Sequence, residues 1–124
     1  MKALTICQPY AEMIALGEKC IENRTWPTAH RGLLVIHAGK SRNWLEADDE
    51  REYPGMQFGA LVATAQLVDC RRVEDLPPEL RGDVHANGPW CWILEDVTRI
   101  DPVPCRGAQG LWDVPPEKGH LSCR

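Results

Sequence analysis

The chain has no apolar run of 18 or more residues, so no stretch of it reads as a transmembrane helix, and no membrane partner is expected. The apolar stretch Ala3 to Cys7 is too short for a signal-peptide core, and Gln8-Pro9 interrupts it, so a cytoplasmic chain is expected. No two cysteines are spaced C-x-x-C, although six occur: Cys7, Cys20, Cys70, Cys91, Cys105 and Cys123. Three disulfides would need an oxidising compartment, and free thiols are the expectation. His30, His37, His85 and His120 are scattered without ligand spacing, so neither a metal site nor a cofactor is expected. No serine–histidine–aspartate order, P-loop or glycine-rich dinucleotide motif is present, and Gly107-x-x-Gly110 is too little for either nucleotide motif. Phenylalanine is also scarce: one Phe and two Tyr stand beside five Trp.

Positive charge is in deficit. The net charge of −4 excludes indiscriminate binding to polyphosphate. The charge is unevenly spread, because residues 1–43 hold six basic and three acidic side chains while residues 44–124 hold eight basic and fifteen acidic ones. A basic N-terminal third can line a local site on an acidic protein.

The remaining residues organise into short elements. Met1 to Cys7 reads as a strand that Gln8-Pro9 stops. Pro9 suits the first turn of a helix, Tyr10, Met13, Ile14 and Leu16 recur at helical spacing, and Gly17 ends the run. Cys20 to Trp26 reads as a short strand. Leu33 to Ala38 reads as a buried one, bounded by Gly32 and Gly39. Trp44 to Glu52 suggests a short acidic helix, Gly59 to Asp69 the longest strand, and Val73 to Leu80 a loop with a helical turn. Trp90 to Val97 is a strand rich in aromatic and branched residues. Ile100 to Pro104 looks extended, Leu111 to Val114 forms a last short strand, and residues 115–124 read as a loose tail. Five to seven short strands with two or three small helices, in no regular βαβ order, predict a single α+β domain over residues 1–124, or a partly closed barrel.

The densest polar cluster is Gly17 to Trp26, GEKCIENRTW. Alternate residues of an extended segment share a face, which puts Cys20, Glu22 and Arg24 on one side and Ile21, Asn23 and Thr25 on the other. A carboxylate between an ammonium and a guanidinium can accept from an amino-bearing base edge, and the two cations can hold a phosphate. A solvated strand carrying a surface ion pair is the bland alternative. Trp26 can line a cleft or fill a core, Trp92 and Trp112 read as core, and Trp90 is open between the two. Gln8 can present its amide to a base or tie down a turn. His37 reads as a structural residue, and Lys40 as a phosphate contact or a solvated loop residue.

The order of these features is more specific than the cluster itself. A strand ending in Cys7-Gln8-Pro9-Tyr10 leads into a short helix. G-x-K-x-x-E-x-R follows over Gly17 to Arg24, then Trp26, Arg31-Gly32, and a strand ending His37-Ala38-Gly39-Lys40. This succession resembles the ASCH domain, and with the Gly59 strand, the Trp92 strand and Pro102-Val103-Pro104 before Gly107 the resemblance covers residues 2–114. It implies a PUA-like, partly closed β-barrel with a cleft beside the first helix, and RNA-linked roles. Some small bacterial members of the family hydrolyse the amide of N4-acetylcytidine with a lysine, a threonine and a glutamate, and others are ribonucleases. Carried over by motif, the lysine falls on Lys19, the threonine position holds Glu22, and the separate glutamate has no counterpart. The expectation is a binding module for single-stranded RNA or a modified nucleoside, with single-stranded DNA as a further partner. Gln8, Lys19, Glu22, Arg24, Trp26 and Lys40 would bind the ligand, with Arg31 and Arg42 as further phosphate candidates. The alternative is a hydrolase acting on an N4-acylated cytidine or on RNA, with Lys19 as base and Glu22 as orienter or acid. A protein-interaction adaptor is the third reading.

Overall fold

Continuous apolar runs, rather than strict alternation, mark strands that are covered on both faces. The computed structural model describes residues 1–124. It forms β1 (Lys2–Ile6), α1 (Tyr10–Ala15), β2 (Ile21–Arg24), β3 (Gly32–Ala38), α2 (Asp49–Glu52), β4 (Ala60–Arg72), β5 (Trp90–Pro104) and β6 (Leu111–Asp113), with 3-10 turns at Val73–Asp75, Pro78–Leu80 and Pro116–Lys118. The six strands make one sheet in the order β2-β5-β4-β3-β1-β6. The β1–β3 pair is parallel and the other pairs are antiparallel.

The Leu-Leu-Val-Ile run of β3 is explained by its two neighbours. Leu34 and Ile36 join the main core with Leu4, Ile6, Trp92 and the Ala11–Ile14 face of α1. Val35 points the other way, into a second cluster with Ala3, Leu61, Ile100, Cys105 and Val114. A third cluster, Ile21, Leu76, Cys91 and Ile93, sits under the 3-10 turns.

The long hairpin of β4 and β5 curls the sheet. Its register shifts three times, between Leu61 and Ala63, between Thr64 and Gln66, and between Leu67 and Asp69. Asp96 on β5, at φ 50°, is the non-glycine residue with positive φ, and bulges of this kind bend a strand and increase its twist. The result is a half-barrel that stays open between its outer strand β2 and β1.

Three expectations change. Trp90–Val97 and Ile100–Pro104 are one strand of 15 residues bent at Asp96, not two segments. Helix formation in the Trp44–Glu52 stretch is confined to Asp49–Glu52. The tail is pinned rather than loose: Cys123 bridges Ile100, Asp101 N donates to Ser122 O at 2.9 Å, and Leu121 packs on the second cluster. Ile100 needs a cover on that face, and the tail supplies it.

Candidate functional site

The turn after α1 delivers the first side chain. Gly17 adopts φ 80°, which suits a glycine at a helix C-terminus. The amides of Glu18 and Lys19 then both donate to the Met13 carbonyl, at 2.9 and 3.2 Å. That geometry turns Lys19 inward, where it is 3% exposed. Its Nζ donates to the Ile21 carbonyl and, at 3.2 Å, to Glu22 Oε1. It also lies 5.9 Å from the centroid of the Tyr10 ring.

Strand alternation supplies the next two residues. Ile21 faces the third apolar cluster, and Glu22 and Arg24 face the cleft. Glu22 Oε2 accepts from Arg24 Nη2 at 3.0 Å, so each carboxylate oxygen takes one cation. Arg24 Nη2 also donates to the Thr5 carbonyl at 2.7 Å. Arg24 Nε is the buried side-chain nitrogen or oxygen that lacks a hydrogen-bond partner.

Around this triad lies a cavity of about 570 Å³. Tyr10, Trp26 and Trp44 give it aromatic walls, and His85 and Asn87 close its far side. Trp26 is held edge-on to Trp92, with ring centroids 4.8 Å apart and planes at 90°. Trp44 is 60% exposed. Asn23 fixes the far wall: its Nδ2 donates to the His85 carbonyl at 2.8 Å, and its Oδ1 accepts from the amides of Asn87 and Gly88 at 3.0 and 2.8 Å.

Of the six sequence-derived site residues, the structure brings Lys19, Glu22, Arg24 and Trp26 together. Gln8 is not in the cleft wall. It is fully buried, its Nε2 donating to the Gln57 carbonyl at 2.8 Å and its Oε1 accepting from the Glu12 amide at 2.9 Å. The first turn of a helix leaves its amides without partners inside the helix, and the Gln8 side chain accepts from one of them. Lys40 lies outside the cleft, in a neighbouring concavity that shares Thr5. Arg31 and Arg42 are held by Asp69 and Glu50, at 3.6 and 3.1 Å.

Thr25 and Cys20 depart from the expected faces. Thr25 lines the cleft because β2 ends at Arg24 and strict alternation stops there. Cys20 precedes the strand and packs on the Ile21 cluster. Burial, with Asp83 nearby, pushes the Cys20 thiol above its ordinary value, and burial does the same to Cys91. All six cysteines carry free thiols. Trp90 lies away from the cleft under the Arg72 guanidinium, 4.7 Å from its centroid. Sequence reasoning missed Tyr10, Trp44, His85 and Asn87. The available signal for Trp44 was an indole in a polar, acidic stretch.

A half-barrel with a polar cleft beside its first helix defines a PUA-like α+β fold. Within that class, the chain belongs to the ASCH family, whose domain matches residues 4–103. Human activating signal cointegrator 1 is 22% identical over 131 residues, a match covering 90% of this chain and 22% of that protein. The chain therefore corresponds to one part of a much longer relative. Among solved structures, ASCH from Zymomonas mobilis superposes with a TM-score of 0.61 at 15% identity, over 98% of this chain and 95% of that one. A tyrosine-to-phenylalanine mutant of the ASCH protein from the same organism gives 0.59 at 15% identity, over 98% of each chain. At such identities the likeness establishes the fold.

Proposed function

We propose that the cleft between β1 and β2 binds a nucleobase, either in single-stranded RNA or as a modified nucleoside. The carrying observation is the juxtaposition of three aromatic walls, Tyr10, Trp26 and Trp44, with the Lys19–Glu22–Arg24 triad. Aromatic faces stack on any base, and the Glu22 carboxylate between two cations suits the polar edge of an amino-bearing base. A volume of about 570 Å³ fits a nucleoside-sized ligand.

The acidic net charge supplies no long-range attraction, so binding rests on a few local contacts. Titration of fluorescent single-stranded RNA against salt tests this. With two or three phosphate contacts, log K falls with log salt at a slope of about −1.5 to −2. A slope much steeper than that, or no binding at low salt, would remove the polynucleotide reading.

The hydrolytic reading keeps one observation in its favour, since Thr25 places a hydroxyl in the cleft. Against it, the Lys19 ammonium is already engaged by Glu22 and the Ile21 carbonyl, which leaves it poorly placed as a base. Incubation with N4-acetylcytidine and detection of released acetate decides between the two readings.

A further inference from the structure

Thr5 borders two cavities. One is the cleft, where its carbonyl takes Arg24. The other is a concavity of about 400 Å³ lined by His37, Lys40, Arg106 and the Gly107–Gln109 loop. No aspartate or glutamate lines it, on a chain of net charge −4. Lys40 and Arg106 take part in no ion pair, as is also true of Arg72, Arg81, Lys118 and Arg124, but they are the two that line this concavity.

The walls position these cations. A Cβ on Gly59, which has φ +67°, would lie 2.9 Å from Lys40 Cε and 3.2 Å from its Cγ, so the lysine stem lies flat across the glycine backbone. The amides of Gly107, Ala108 and Gln109 donate to no backbone carbonyl. Successive unpaired amides beside two cations form an anion-binding concavity.

The floor is a closed hydrogen-bond chain. His37 Nε2 lies 2.7 Å from the Cys105 carbonyl, which only accepts, so Nε2 carries the proton. Nδ1 then accepts from the Thr5 hydroxyl at 3.1 Å, and Thr5 Oγ1 accepts from Trp112 Nε1 at 3.1 Å. A hydroxyl on an imidazole is also the arrangement of a nucleophile and its base. Here the Gly107 backbone covers the pair: a single Cβ there would lie 2.6 Å from both His37 Cε1 and Thr5 Oγ1. An acyl or phosphoryl centre has no approach, and the cations are what a ligand meets.

We propose that this second concavity binds a phosphate group and, resting on the nucleobase reading above, that it holds the phosphate adjoining the base in the cleft. The shared Thr5 wall gives the two subsites the adjacency of neighbouring parts of one nucleotide chain.

The test compares each of the four ribonucleosides with its 3′- and 5′-monophosphates by calorimetry, on wild type and on Lys40→Ala/Arg106→Ala. Both substituted residues are exposed, so the fold should persist. One monophosphate series should bind about tenfold tighter than the nucleosides, and the double variant should lose that gain while binding nucleosides equally well. A gain that survives in the double variant, or no gain in either series, overturns the phosphate subsite and leaves the nucleobase reading standing. If neither nucleosides nor monophosphates bind, the nucleobase reading fails, and inorganic phosphate decides the second site alone. Amide shifts at Gly107, Ala108 and Gln109 that the double variant abolishes support it; unmoved amides overturn it.

Discussion

Arg24 Nη2 donates to the Thr5 carbonyl at 2.7 Å, tying the outer strand β2 to β1 across the mouth of the half-barrel. The same nitrogen meets Glu22, and Glu22 meets Lys19, so a line of charge on the β2 side holds the guanidinium that crosses the opening. Through Thr5 the line also reaches His37 and Trp112. The cleft is therefore a place where the sheet fails to close and a guanidinium hydrogen bond to a backbone carbonyl stands in for strand pairing.

Removing the centre of that line should be costly. Glu22→Ala leaves two cations facing each other, Lys19 at 3% and Arg24 at 22% side-chain exposure. Breaking a buried pair by deleting one partner costs about 3–5 kcal/mol. Glu22→Gln keeps an acceptor for one cation and should cost less. Urea denaturation midpoints measure both. A loss below about 1 kcal/mol for the alanine variant would show that the triad does not hold the opening.

The indoles should separate binding from folding. Trp44 is 60% exposed, so Trp44→Ala should change stability by no more than about 0.5 kcal/mol. Its loss as a stacking platform should weaken single-stranded RNA by about 1–3 kcal/mol. Trp92 is fully buried, and Trp92→Ala should cost about 3–5 kcal/mol of stability. Unchanged RNA affinity in the Trp44 variant, with the fold intact, would remove that indole from the site.

The triad was legible because its residues are close in sequence. Three of its members fall within Lys19 to Arg24, and strand alternation alone places Glu22 and Arg24 on the cleft side. Helical spacing marked Tyr10 as part of α1 without showing that the helix borders the cleft, whereas Trp44, His85 and Asn87 come from loops that no local period marks. Gln8 and Lys40 failed to reach the cleft for different reasons. A turn consumed the Gln8 amide, and β3 runs past the cleft before it delivers Lys40. The bend at Asp96 had no sequence signal either, because a polar residue inside a strand reads as a boundary.

Acid should weaken the fold through His37. Burial holds this imidazole below its ordinary 6.5, although the hydrogen bond to the Cys105 carbonyl pulls the other way. In the unfolded chain the ring takes a proton near that ordinary value. Below it the unfolded state binds more protons than the native state, so stability falls with pH until the native value is passed. Asp69 acts in a separate, lower window. Burial alone would raise it, but hydrogen bonds from Arg71 and the Cys70 amide, with the charges of Arg71 and Arg31, set it below 3.8. Its stabilisation is present above that value and is lost as pH falls through the native one. Denaturant midpoints taken from about pH 7.5 to about 5 therefore isolate the histidine. His37→Gln should flatten that slope, and an unchanged slope would place the acid sensitivity elsewhere.

Asn23 should control the far wall of the cleft. Its side chain makes three hydrogen bonds to the backbone of the 85–88 segment, and it also accepts from Cys91 Sγ at 3.6 Å. Gly88 is pressed against Val73, where a Cβ would lie 2.8 Å from two side-chain carbons, so the segment has little freedom to find other partners. Asn23→Ala strands the Gly88 amide, because the Asn87 amide and the His85 carbonyl keep their own hydrogen bond at 3.2 Å, and it should cost about 1–3 kcal/mol. The loss should be local first, because the segment joins no strand or helix. Hydrogen exchange at the Gly88 amide should accelerate in the variant while β3 and β4 amides keep their protection. Asn23→Asp keeps both acceptor bonds but sets a carboxylate oxygen against the His85 carbonyl, so the Gly88 amide should exchange more slowly than in the alanine variant. Since His85 and Asn87 wall the cleft, the alanine variant should also bind single-stranded RNA more weakly and the aspartate variant less so. Equal protection at Gly88 in wild type and the alanine variant would mean that packing against Val73, not Asn23, sets this wall.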